Sequence, residues 1–170
     1  SDLVRSGQFV ATARDSMLSK PINESEVAYR DWRLMSVDYL VVGQLCFDAG
    51  QYVVNYQLID VAAQRIHDTG VRSLPNDAVR DLAHWVSDRI YKKLTGFDGA
   101  FGTKIAFVKE KKAGGEPLYQ LMRSDADGAR EQLIFESRAP IMSPSWSPDA
   151  SQIAYVSFES GRPRIMKHNL

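Results

Sequence analysis

A five-residue string occurs twice in this chain. Lys104-Ile105-Ala106-Phe107-Val108 returns as Gln152-Ile153-Ala154-Tyr155-Val156, with the two isoleucines 48 positions apart. Each copy is followed by a turn, Gly114-Gly115 or Ser160-Gly161, and then by a second strand-like run. A unit recurring at this interval is one supersecondary element, and it buries its apolar faces only against its neighbours. The interval sits slightly above the ~40–45 residues of propeller blades of the WD kind. Between the copies lies Met142 to Ser151, where Trp146 is large enough to fill a wedge between blades and Pro148-Asp149 sets a tight turn. Asp125-Ala126-Asp127-Gly128 reads as another turn between strands. A propeller closes with about four to eight blades, and roughly one and a half are visible here. The expectation is a piece of a longer protein.

The short strands of this half are predicted at Lys104 to Lys109, Leu118 to Ser124, Gln132 to Glu136, Gln152 to Phe158 and Arg164 to Lys167. Ahead of about Asp98 the periodicity is different. Ser1 to Ser6 reads as the end of a helix stopped at Gly7, and Phe9-Val10 as the start of a short strand. Asn23 with Glu26 three residues on is a capping-box pattern, predicting a helix to about Met35 that turns Val27, Trp32 and Met35 inward. Tyr39 to Phe47 is apolar at both parities and predicts a strand covered on both faces. Gln51 to Val61 alternates and follows Asp48-Ala49-Gly50, which predicts a hairpin. A third strand is expected around Arg65 to Ser73. Then Val79, Leu82, Ala83, Val86, Ile90 and Leu94 recur at helical spacing, with Asn76 as cap, Lys92 and Lys93 in the last turn and Gly96 closing it. The chain thus reads as an α+β domain at 1–98, a mixed sheet with two main helices, followed by an all-β, partial β-propeller at 99–170.

Composition removes several function classes. Lysine plus arginine equals aspartate plus glutamate at 21 each, so the basic excess that holds a nucleic-acid backbone is missing. Lys109 to Lys112 is interrupted by Glu110 and reads as a solvated turn. With 44% hydrophobic residues a packed core is within reach without disulfides, and the lone Cys46, inside an apolar run, is expected as a buried, inert thiol. His67, His84 and His168 fall in different elements without ligand spacing, so no metal site is assigned. Asp125-x-Asp127-Gly128 lacks the later glutamate of a calcium loop. Ser143, Ser145 and Ser147 have no evident histidine and acid partners and no G-x-S-x-G elbow, and Gly99 to Lys104 is no phosphate loop. His84-Trp85 is read as structural rather than partner-facing. No catalytic, cofactor or metal residue is assigned, no cofactor is expected, and protein-binding residues are left unassigned.

Taken together, the chain resembles the TolB family of the Tol–Pal envelope system. The propeller part of that resemblance is Ser145-Trp146-Ser147-Pro148-Asp149 with Ile153-Ala154-Tyr155-Val156 and Phe158-Glu159-Ser160-Gly161. The amino-terminal part is Asp31-Trp32, Val37-Asp38-Tyr39-Leu40-Val41-Val42-Gly43 and Tyr56-Gln57-Leu58-Ile59-Asp60, then Ser87-Asp88, Lys93-Leu94-Thr95-Gly96 and Gly99-Ala100-Phe101. The resemblance spans essentially the whole chain, with Ala150 standing where the family's turn has glycine. It implies a two-domain, non-enzymatic periplasmic protein with a six-bladed propeller. That propeller would bind the lipoprotein Pal and be exploited by bacteriocin translocation domains, while the family's amino-terminal segment would engage TolA. It further implies roles in outer-membrane integrity and cell division, with membrane association through partners alone. The family's first strand and TolA-contacting segment would precede Ser1, and most of the Pal-binding mouth would follow Leu170, so no family binding residue is carried over. The alternative from another class is the propeller of a serine peptidase whose hydrolase domain lies beyond Leu170.

Overall fold

The computed structural model describes every residue, Ser1–Leu170. The chain falls into two compact units, Ser1–Gly102 and Thr103–Leu170.

In the first unit, β1 (Tyr39–Asp48), β2 (Gln51–Asp60) and β3 (Arg65–Pro75) form a sheet in the order β1-β2-β3. Both pairings are antiparallel, where a mixed sheet was expected. Ala49 and Gly50, both at positive φ (46 and 79), make the two-residue turn between β1 and β2. Such a turn matches the twist of the strands it joins. The long helix α3 (Val79–Thr95) covers one face of the sheet, and Tyr56, Leu58 and Ile90 close a core there. On the other face, α2 (Tyr29–Leu34) delivers Trp32 to a second core with Val27, Leu40, Val42, Ile59 and Val61. Consecutive residues of β2, Leu58 and Ile59, are therefore both fully buried, one toward each helix. Burying side chains of this size contributes about 1.5–3 kcal/mol each, so the central strand anchors the unit.

Several local readings change. The helix expected from Asn23 to Met35 is a single 3-10 turn at Glu24–Glu26 followed by the short α2. Glu26 accepts from Asn23 Nδ2 and from the Ile22 amide, but Val27 is extended and interrupts the helix. Phe9-Val10 forms no strand. Asn76 does not cap α3: a 3-10 turn at Asn76–Ala78 leads in, and no side chain caps the helix. Its other end is as predicted, with Gly96 left-handed (φ 82) and its amide on the Lys92 carbonyl. The opening helix α1 (Asp2–Arg5) likewise ends before left-handed Gly7.

β1 differs most. It was expected to be covered on both faces, but it is an edge strand, and Val41, Leu45 and Phe47 are exposed. Cys46 is exposed with them rather than buried. Helix α3 lies over β2 and β3, and an apolar run by itself does not reveal how far across a sheet a helix will reach.

The second unit holds two three-stranded antiparallel sheets. One is β4 (Lys104–Ala113), β5 (Glu116–Asp125) and β6 (Gln132–Ser137); the other is β7 (Ile141–Trp146), β8 (Gln152–Ser157) and β9 (Arg164–Asn169). They share one core, in which Leu121 of the first sheet packs with Ile141, Ile153 and Tyr155 of the second. Trp146, expected as a wedge between blades, lies partly buried against this cluster. β7 itself was not foreseen. Its Met-Ser-Pro-Ser-Trp sequence looks like a loop, but left-handed Ser143 (φ 50) forms a bulge that lets Pro144 sit within the strand.

The repeated string occupies β4 and β8, each of which pairs with the strand that follows it. The sheets are nevertheless out of phase with the repeat by one strand. β4 is an edge, whereas β8 is central because β7 precedes it. A propeller blade has four strands, and each of these sheets has three.

Candidate interaction surfaces

Several residues weighed in the sequence have structural partners. His84 is buried in α3 with Nδ1 2.7 Å from Asp2 Oδ2. His67 of β3 stands edge-on to Tyr39, ring centroids 5.7 Å apart. His168 lies in β9, opposite Ile153. The Ser147 hydroxyl donates to Asp149 Oδ1 at 2.6 Å, a turn contact and not a nucleophile's.

Two turns of the second unit are built on carboxylates. Asp125, at the end of β5, is 1% exposed. Burial alone would raise its pKa, but hydrogen bonds from Arg130 and Lys104 outweigh that and hold it well below the usual carboxylate range. The acids of the Asp125–Gly128 segment therefore serve the turn: the Ala129 amide donates to Asp127 at 3.0 Å and the Asp125 amide to the Ala129 carbonyl at 2.8 Å. Before β8, Asp149 accepts from the hydroxyls of Ser147 and Ser151 and from the Ser151 amide, and these bonds pull its pKa down to about 2. Ala150 adopts the left-handed conformation (φ 57) in this turn, a geometry that favours glycine.

In the first unit a third carboxylate clasps backbone. Asp88 of α3 accepts from the amides of Phe101 (2.8 Å) and Gly102 (3.1 Å). A Cβ on Gly99 would lie 2.2 Å from Asp88 Oδ1, so the chain leaving α3 can lie this close only with glycine there.

The most organised polar cluster was not singled out in the sequence. Asp68 of β3 accepts from Tyr56 Oη at 2.7 Å, from the Arg89 guanidinium at 3.1 and 3.2 Å, and pairs with Lys93 at 3.2 Å. Burial would raise the Asp68 pKa, but these donors lower it on balance. Burial, then the bond to Asp68, pushes the Tyr56 hydroxyl up to about 12. Trp85 has two guanidiniums over its ring, Arg72 at 5.4 Å and Arg89 at 5.5 Å. Gly70 makes room for the pair of aromatics, since a Cβ there would meet the Tyr56 ring at 2.6 Å and the Trp85 ring at 2.9 Å. The sequence signal was present as alternation Asp68, Gly70, Arg72 on a strand, with Trp85, Arg89 and Lys93 at helical spacing.

Apolar surface is open in both units. Beside β1, a groove of about 670 Å³ is lined by Leu3, Val4, Phe9, Tyr39, Val41 and Leu94. In the second unit a cavity of about 470 Å³ opens at Val108, Tyr119, Pro140, Ile141, Met142 and Phe158. No helix is long and apolar enough to cross a membrane.

Comparison with known proteins gives a consistent result over both units. Residues 1–66 match the family model of the TolB amino-terminal domain, and residues 91–170 that of the TolB beta propeller domain. The Tol-Pal system protein TolB of Alcanivorax borkumensis is 48% identical over 172 residues, covering 100% of this chain and 39% of that protein. That of Pseudomonas aeruginosa is 43% identical over 166 residues, covering 97% of this chain and 38% of its own length. The crystal structure of TolB from Acinetobacter baumannii superposes with a TM-score of 0.91 at 37% identity, over 99% of this chain and 42% of that one. The chain thus spans about two fifths of the length of the relatives it matches.

Proposed function

The chain belongs to the TolB family of Tol–Pal system proteins, and from that premise we infer that it forms part of a non-catalytic periplasmic scaffold. In this reading the whole protein links the lipoprotein Pal, at the outer membrane and peptidoglycan, to TolA, and so serves envelope integrity and cell division. Bacteriocin translocation domains would use the same propeller. Residues 1–98 would be its amino-terminal domain and 99–170 the opening blades, the break between the two compact units falling slightly later, after Gly102.

The observation that carries the reading is the shared core of two consecutive sheets, Leu121 with Ile141, Ile153 and Tyr155. Stacking of this kind spends the apolar faces on one another and leaves turns such as Ser147–Ser151 presented on a rigid frame. Loops on rigid frames carry recognition. The carboxylates with depressed pKa values also support it, because Asp68, Asp125 and Asp149 are each engaged with structural donors.

The test is co-purification of the full-length protein with Pal and with a soluble TolA domain from envelope extracts. Retention of both supports the scaffold. Retention of neither, or a reading frame that continues into a G-x-S-x-G hydrolase, overturns it.

A further inference from the structure

The outer edge of β3 has no strand partner, and its eleven residues, Arg65–Pro75, are long for an unprotected edge. Edges of this length recruit strands, since their main-chain donors and acceptors are left unpaired by the sheet. Val71 is 65% exposed and Ile66 40%, so apolar side chains accompany the open edge.

Charge at this edge is one-sided. Asp68, Gly70 and Arg72 point to the face covered by α3, where Arg89 and Lys93 join them. Asp68, the acid that pairs with them, has a side chain only 8% exposed, whereas those of Arg89 and Lys93 are 40% and 47% exposed. Asp68 can neutralise one of these two cations. Arg72 forms no ion pair; its guanidinium stacks on Trp85, which in turn stacks on Arg89. Three cations therefore face solvent beside an open strand in a chain whose net charge is zero. The cluster is also pre-organised: Tyr56 and Asp68 fix Arg89, and contact with the Trp85 ring limits the rotamers that Arg72 and Arg89 would lose on binding.

We propose that β3 is a docking edge for an extended polypeptide bearing carboxylates at alternate positions, which adds as a fourth strand with its acidic side chains over Arg72, Arg89 and Lys93. Main-chain hydrogen bonds to β3 supply affinity, and the period-2 alternation of the guest brings successive carboxylates to the cationic face while its other side chains meet Val71 and Ile66. Nothing in this depends on the propeller's partners, so the two readings fail separately.

The experiment uses the full-length protein and a fluorescent twelve-residue peptide of alternating valine and glutamate. Controls are the valine–lysine analogue and the valine–glutamate peptide N-methylated at alternate residues. The expected result is saturable anisotropy with the glutamate peptide alone, weakening as salt rises, and slowed amide exchange in Thr69–Ser73. Arg72→Glu, at an exposed residue with no ion pair to lose, should weaken binding about tenfold while the melting temperature falls only slightly, by the lost Trp85 contact. Equal binding of the lysine peptide, or unchanged affinity in R72E, overturns the charge assignment. Full affinity of the N-methylated peptide overturns strand addition.

Discussion

Ile105 and Ile153 open the same five-residue string, yet the first is 43% exposed and the second is fully buried. The difference lies in what stands beside each strand, not in the strands themselves. β8 has β7 on one side and β9 on the other, with Ile153 directly opposite Trp146. β4 has β5 alone, and the other side of Ile105 is open. A repeat in sequence and a sheet in space are therefore different units in this protein: the first sheet starts at the repeated strand and the second starts one strand earlier. Burial, and with it stability, follows the sheet.

The largest expected effect separates the two copies directly. In this 170-residue chain, Ile153→Ala should cost about 3 kcal/mol in urea unfolding, as fully buried aliphatic truncations do, and Ile105→Ala less than about 1 kcal/mol. Repeating the pair in the full-length protein sharpens the comparison. If another strand covers β4 there, the Ile105→Ala cost should rise toward that of Ile153→Ala; equal costs in the short chain would break the comparison.

The turns give the next contrast. Asp125→Ala removes a buried carboxylate from between Lys104 and Arg130. Because both cations are partly solvent-exposed, the loss should be about 2 kcal/mol, below the range for a fully buried pair. Asp149→Ala, at an exposed turn, should lower the melting temperature by clearly less. The reverse order would show that the second sheet depends more on its turn than on its core.

A smaller gain is expected from Ala150→Gly. Relief of a left-handed alanine (φ 57) is opposed by the greater freedom of glycine when unfolded, leaving about 0.5 kcal/mol of stabilisation. A lower melting temperature would argue that the turn is unstrained.

The pH response completes the set. Asp125 and Asp149 both have depressed folded-state pKa values, so their contribution is complete above the unfolded value near 4 and is lost as pH falls through the folded values. For Asp149 that window runs from about pH 4 down to about 2, and for Asp125 it extends lower. Acid titration of Asp125→Asn should therefore show a flatter low-pH limb than Asp149→Asn; identical limbs would remove the distinction between the two turns.

Much of this architecture was readable from residue order, because it depends on local chemistry. Helical spacing from Leu82 to Leu94 with Gly96 behind it located α3, and alternation along Gln51 to Val61 located β2. The expected caps failed because Asn23 and Asn76 are favoured cap residues by type alone, yet Val27 is extended and α3 enters through a 3-10 turn. β7 was hidden because Pro144 and its serines carry turn signals, and only pairing with β8 makes them a strand. The Asp68–Arg89–Trp85–Arg72 cluster was hidden for a related reason. Its members are distributed over a strand and a helix, and neither segment is unusual by itself.

Residue order settled α3, β2 and most of the other strands, the doubled string and the family likeness, since propensity, spacing and turn chemistry act within a few residues of each other. Long-range packing set which strands became edges. It exposed Cys46 and Val41 on a strand as apolar as any in the core, and it gave identical isoleucines opposite environments. Burial is a property of the neighbours a strand acquires, and those neighbours come from elsewhere along the chain.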